Sequence, residues 1–124
     1  MGENWYDKDM KKLHPVLSIR LFADEKCFGP GIAQLLRHVE QLHSLRAAAQ
    51  AMGMAYSKAW TILKNAQNAL GFPLLHSTTG GKHGGGASLT PECKALLAAY
   101  EDYCQRLNRC ASELFDETFH EFLR

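Results

Sequence analysis

The side chains with the most evident capacity for chemistry lie between Gln41 and Thr90, an interval of fifty residues that contains no aspartate or glutamate. It carries Arg46, Lys58, Lys64 and Lys82, with His43, His76 and His83 able to add partial charge. Carboxylates are confined to either side: six acids and six bases from Met1 to Glu40, seven acids and four bases from Pro91 to Arg124. The formal net charge of +1 therefore averages over a segregation. An acid-free interval suits a face that meets a polyanion. Within it Ser57, Thr61 and Asn65 stand four residues apart beside Lys58 and Lys64, a combination of hydrogen-bonding groups and cations that can read base edges and hold phosphates.

Other constellations are weaker. Cys27, Cys93, Cys104 and Cys110 follow one another at gaps of 66, 11 and 6, so no CxxC pair of the zinc or thioredoxin kind exists, and they read as reduced thiols. A thiol switch or soft-metal site on the last helix is conceivable, but cysteine in a helix seam is more often a small core residue. His38 and His43, five apart on one helix, point to different faces and do not form a metal pair. The run GGKHGGGAS lacks the GxxxxGK[ST] order of a phosphate-binding loop. Trp60 beside Ala59 could stack on a base, yet reads better as a core or interhelical anchor. No hydrolytic triad, carboxylate pair or dinucleotide fingerprint can be assembled, so neither an enzyme nor a cofactor or metal is expected.

The elements that must position the basic residues follow from periodicity. Leu17, Ile19, Leu21 and Ala23 alternate with Ser18, Arg20 and Phe22, which predicts one strand with a buried face, ending at Asp24-Glu25-Lys26. Gly29-Pro30-Gly31 opens a helix over 30–43, with Ile32, Leu35, Leu36, Val39 and Leu42 as its apolar stripe. Ser44 caps a short helix over 45–52 that Gly53 stops. A third helix over 56–70 turns Ala59, Ile62, Leu63, Ala66 and Leu70 inward, and Ser57, Lys58, Thr61, Lys64, Asn65 and Asn68 outward. After Gly71-Phe72-Pro73, strands at 74–79 and 87–90 flank a tip with five glycines in seven residues, expected to be a flexible hairpin carrying Lys82 and His83. Thr90-Pro91-Glu92 starts a last helix over 91–122.

Two helices joined at Gly53 and followed by a glycine-tipped hairpin describe a winged helix-turn-helix, in a mainly helical α+β domain. The plain alternative is a helical bundle with a surface loop. At 124 residues, 46% hydrophobic and 22% charged, the chain has the proportions of one packed domain, with residues 1–14 expected to be flexible. No run approaches the roughly 18 apolar residues of a membrane span, and the polar start is unlike a signal peptide, so a cytoplasmic protein is expected.

Phe28-Gly29-Pro30-Gly31, the segment SLRAAAQAMGM from Ser44 to Met54, Tyr56-Ser57-Lys58-Ala59-Trp60, and TGGKHGGGA from Thr79 to Ala87 with Leu89-Thr90-Pro91 resemble the amino-terminal domain of the ModE family of molybdate-responsive regulators. That domain is itself similar to the DNA-binding domain of LysR-type regulators. The resemblance spans about Val16 to Gln105 and implies a winged helix-turn-helix dimerised through its first and last helices, with a role in transcription. It implies no molybdate site in this chain, because the family's carboxyl-terminal molybdate-binding domains have no counterpart in it. Ala55 stands where the family usually has a capping serine, and His76-Ser77-Thr78 fill wing positions that are often basic.

The expected partners are thus double-stranded DNA and a second copy of the chain. The helix 56–70 is expected in the major groove and the wing 74–90 on the backbone, with Ser44, Arg46, Tyr56, Ser57, Lys58, Thr61, Lys64, Asn65, Thr78, Lys82 and His83 at the interface. Leu97, Tyr100, Cys104, Leu107, Ala111 and Leu114 are spaced 3, 4, 3, 4, 3 along the dimerisation helix 91–122. With Ile32, Leu35, Leu36 and Val39 they form the expected dimer interface, on the reasoning that one domain cannot cover both stripes. A competing class is a degenerate winged-helix module that dimerises but no longer binds DNA.

Overall fold

The structure, a computed structural model, describes residues 12–78 and 86–123. Two compact units arise along the chain: Ser18 to Asp102, and the described residues before Ser18 together with those from Tyr103 onward.

In the first unit a hairpin precedes the helices. Strand β1 (Leu21–Ala23) turns at Asp24, whose φ of 67° is left-handed, into the antiparallel strand β2 (Glu25–Phe28). The single strand expected from the alternation at Leu17 to Ala23 is therefore corrected. Lys12 to Arg20 forms no regular element, Leu17 and Ala23 are exposed, and the buried residues come afterwards, at Cys27 and Phe28. A bulge between Leu21 and Phe22 shifts the register, so period two does not persist long enough to keep one face inward.

Helix α1 (Pro30–Leu42) begins with proline at its first position and ends on left-handed His43. Helix α2 (Leu45–Ala51) is capped by Ser44, whose hydroxyl oxygen accepts from the Ala47 amide at 3.0 Å. Helix α3 spans Tyr56–Leu70, and Gly71 at φ 86° ends it. Strands β3 (Leu75–Thr78) and β4 (Gly86–Leu89) pair antiparallel with Leu75 opposite Leu89. Helix α4 (Pro91–Thr118) starts on Thr90, whose hydroxyl donates to the Pro73 carbonyl at 2.8 Å and accepts from the Cys93 amide at 3.0 Å. The arrangement is a mainly helical α+β winged helix.

Phe28, Leu35, Leu36, Val39, Leu74 and Leu97 are fully buried, each contributing about 1.5–3 kcal/mol through the apolar surface it removes from water. Ala48, Ala49, Ala59 and Ala66 are buried too, and side chains this small let helix backbones approach closely. Four residues of the expected dimer stripe, Ile32, Leu35, Leu36 and Val39, are in this core, as are Leu97 and Tyr100 from the seam. The argument that a second chain is needed to cover them is corrected for these six residues. The spacing marks a buried stripe without saying what buries it, and here α1 and the first turns of α4 are covered by their own unit.

Cys93 is also fully buried, and burial pushes its thiol up to about 11. A thiol held protonated in the core is a poor nucleophile, which fits the small-core-residue reading.

An ion pair joins α1 to α4. The Arg37 guanidinium meets both carboxylate oxygens of Glu101, its Nε donating at 2.9 Å, and reaches Glu40 at 2.6 Å. Hydrogen bonding to Arg37 holds the Glu101 carboxyl below the ordinary glutamate range. A carboxyl depressed in the folded state stabilises the protein above its unfolded pKa and loses that contribution as pH falls through the folded value. Both side chains are more than a third exposed, at 41% and 38%, so solvent screening limits the gain to about 0.5–1 kcal/mol. Glu101→Gln is expected to lower urea-unfolding stability by that amount at pH 7 and to unfold like the parent well below pH 4. A difference that persisted into acid would assign the loss to packing.

In the second unit α4 continues to Thr118 and a 3-10 turn covers His120–Phe122, so the helix expected to reach residue 122 stops four residues earlier. Phe115 stacks on Phe119 at 4.8 Å between centroids, yet Tyr103, Leu114, Phe119 and Phe122 stay exposed. Among the described residues no helix is long and apolar enough to cross a membrane, and no group of three or more His, Cys, Asp or Glu is placed to hold a metal.

Candidate nucleic-acid interface

The face begins with the turn between α2 and α3. Gly53 at φ 67° follows Met52; the Gly53 amide donates to Gln50 at 3.0 Å and the Met54 amide to Ala49 at 2.9 Å. This pair of bonds is a Schellman cap, which closes α2 and reverses the chain with backbone groups alone. Ala55 then begins α3 in extended geometry with no side-chain cap, so the first-turn amides of α3 have no side-chain acceptor.

Ala59, Leu63 and Ala66 anchor α3 in the core, while Ser57, Lys58, Thr61, Lys64 and Asn65 are all exposed. The partition expected from helical spacing is the one observed, with Ile62 and Leu70 only partly covered. Tyr56 is exposed, and the Arg46 guanidinium, projected from α2, lies 4.2 Å from its ring centroid. A cation held on an aromatic face loses less freedom when it meets a phosphate. The Ser44 oxygen is engaged as the α2 cap, so its contribution to the face is to order the helix start.

Trp60 departs from the expectation of a core anchor: it is 49% exposed, with the Lys64 ammonium 4.9 Å from its ring centroid. Its size argued for burial, but its rotation on the helix decides. Tyr56, Trp60 and Lys64 recur every four residues and form one outward stripe, a signal present in the sequence and outweighed there by residue type.

The wing strands are fixed to the body at both ends. The Ala87 amide donates to the His43 carbonyl and the Thr90 amide to Leu74, both at 3.0 Å. Thr78 pairs with Gly86 at the outer end of the ladder. Lys82, His83 and most of the glycine-rich tip lie outside the described residues. The face thus brings together Arg46 and Tyr56 with the outward residues of α3.

Comparison with known proteins gives two findings. The family described as bacterial regulatory helix-turn-helix protein, lysR family, matches residues 33–94, half of the chain. Among curated relatives, the transcriptional regulator ModE of Haemophilus influenzae is 34% identical over 92 residues, 74% of this chain and 36% of its own length. The DNA-binding transcriptional dual regulator ModE of Escherichia coli is 31% identical over 101 residues, 82% of this chain and 37% of its own length. The molybdenum transport protein ModE of Herbaspirillum seropedicae is 39% identical over 72 residues, 58% of this chain and 27% of its own length. The chain spans between about a quarter and little more than a third of the length of these three.

Proposed function

Because the chain belongs to the lysR family of bacterial regulatory helix-turn-helix proteins, with a ModE-like helix-turn-helix domain, we propose that it is a cytoplasmic transcriptional regulator that binds duplex DNA as a homodimer. The observation that carries this reading is the outward face of α3, where five hydrogen-bonding or cationic side chains stand exposed within an interval free of acids.

In this reading α3 enters the major groove. Lys58, Thr61 and Asn65 reach base edges: lysine suits the guanine acceptors and asparagine the adenine donor–acceptor pair. Arg46, steadied on Tyr56, and Lys64 hold phosphates, and Trp60 offers an apolar surface to the sugar-phosphate wall or a thymine methyl. The wing, with Thr78, Lys82 and His83, follows the neighbouring backbone. The second copy docks along the later turns of α4, where Cys104, Leu107 and Ala111 are partly covered and Leu114 is exposed. Two-fold pairing sets the two recognition helices about one DNA turn, roughly 34 Å, or a multiple of it apart, and the operator is an imperfect palindrome.

The test is gel retardation on duplex DNA from upstream of the chain's own gene, run as a salt titration. Arg46→Ala should weaken binding to every sequence alike and reduce the salt slope by about one unit. Lys58→Ala should instead relax discrimination by about 1–3 kcal/mol at one base position. No retardation of any duplex by the parent protein at low salt would refute the reading. An unchanged slope would remove Arg46 from the phosphates.

A further inference from the structure

The first unit contains a groove of about 450 Å³ bordered by the β1–β2 hairpin, the start of α1 and the flank of α3. Its interior is apolar, with Cys27, Ile32, Leu35, Ile62 and Ala66 on the lining. Two cations also line it, Arg20 ahead of β1 and Lys26 on β2. Among the described residues no carboxylate does. Both cations are exposed and neither takes part in an ion pair among the described residues. The stem of Arg20 runs beside Gly29, with its Cγ 3.5 Å from where a Cβ would stand there.

A recess that among the described residues is apolar, bears two cations and has no acid is complementary to one kind of occupant: a small molecule with a hydrophobic body and an anionic end. Phosphate alone would use the cations and leave the recess wet, and a neutral hydrocarbon would leave both cations unanswered. The volume falls in the range of small-molecule sites. Asn65, on the outward face of α3, lines the same groove, so an occupant would touch a side chain assigned above to DNA.

We propose that this groove binds a small organic carboxylate, with its apolar body against Ile32, Leu35 and Ile62, its carboxylate at Arg20 and Lys26, and its edge against Asn65. Charge-assisted hydrogen bonds to the carboxylate give the selectivity over neutral analogues. Gly31 lines the groove and has nothing within 4 Å of where a Cβ would stand, so a side chain can be added there without a clash at its base.

The experiment needs no DNA and so stands or falls apart from the duplex-binding reading. The full chain, labelled with nitrogen-15, is titrated with 2-naphthoate and in parallel with 2-naphthalenemethanol, its uncharged counterpart. Saturable amide shifts are expected within residues 18–31, at Met54 and over 62–66, including the Asn65 side-chain amide. The alcohol should bind about tenfold more weakly, and an Arg20→Ala, Lys26→Ala double variant should lose about the same factor for naphthoate alone. Gly31→Leu should block both ligands. The proposal is overturned if naphthoate gives no saturable shifts at millimolar concentration, if the alcohol binds equally well, or if the double variant keeps parental affinity. Because Arg20 and Lys26 are exposed, that variant retains the parental fold, which its unshifted spectrum elsewhere would show.

Discussion

Leu107→Asp is expected to give a folded monomer whose affinity for operator DNA is about 10²- to 10⁴-fold below that of the parent, the factor lost when two linked half-site contacts become one. Leu107 belongs to the unit from Tyr103 onward, so the substitution leaves the winged unit's core intact. It sits between Cys104 and Ala111, all three partly covered, with Leu114 63% exposed one turn further on. An aspartate there would have to shed its hydration for a second chain to dock. Sedimentation equilibrium at micromolar concentration should show two chains for the parent and one for the variant, with unchanged far-ultraviolet circular dichroism. A parent that sediments as a monomer would end both the dimer and the palindrome.

Phe28→Ala should act on the fold itself, removing about 3–5 kcal/mol of stability. The ring is fully buried at the end of β2 and meets Tyr100 edge-on, with centroids 5.0 Å apart and an interplanar angle of 71°. Tyr100 in turn donates its hydroxyl hydrogen to the Ile19 carbonyl at 2.7 Å. Truncation opens a cavity beside Tyr100 and loosens the tie between the segment before β1 and α4. Domains of this size hold about 5–15 kcal/mol in total, so the urea midpoint should fall by roughly 1.5–3 M at a near-constant slope. A loss below about 1 kcal/mol would mean that the hairpin is an accessory to the core. DNA binding should decline only in proportion to unfolding, because Phe28 is far inside the surface.

These two substitutions also mark where the sequence was readable and where it was not. Helix α3 was expected over 56–70 and spans Tyr56–Leu70, since three signals agree there: apolar residues at helical spacing, a glycine able to take the left-handed stop, and a proline beyond it. The Ser44 and Thr90 caps were likewise visible, being short-range chemistry. The β1–β2 hairpin was not, because its turn rests on a left-handed Asp24 followed by glutamate, without the glycine that would announce it. On α4 the heptad spacing located an apolar stripe but was silent on the identity of its cover. Residues 97 and 100 are buried by their own unit, whereas 107 and 114 are not fully covered. On the outward face of α3 the exposure of the cations and of Asn65 was legible from their rotation on the helix. Trp60 was misplaced because hydrophobicity was allowed to overrule the same rotation.

The cap at Gly53 separates two tasks that a protein could have entangled. The aim of α3 relative to α2 is held by main-chain bonds from Gly53 to Gln50 and from Met54 to Ala49, and its seat is held by Ala59, Leu63 and Ala66. None of these groups is among the five outward side chains assigned to DNA. The scaffold is therefore indifferent to what is written on that outward surface. A lineage carrying it can acquire a new operator by exchanging a handful of exposed residues, at little cost to folding, so drift in target sequence should outpace drift in architecture.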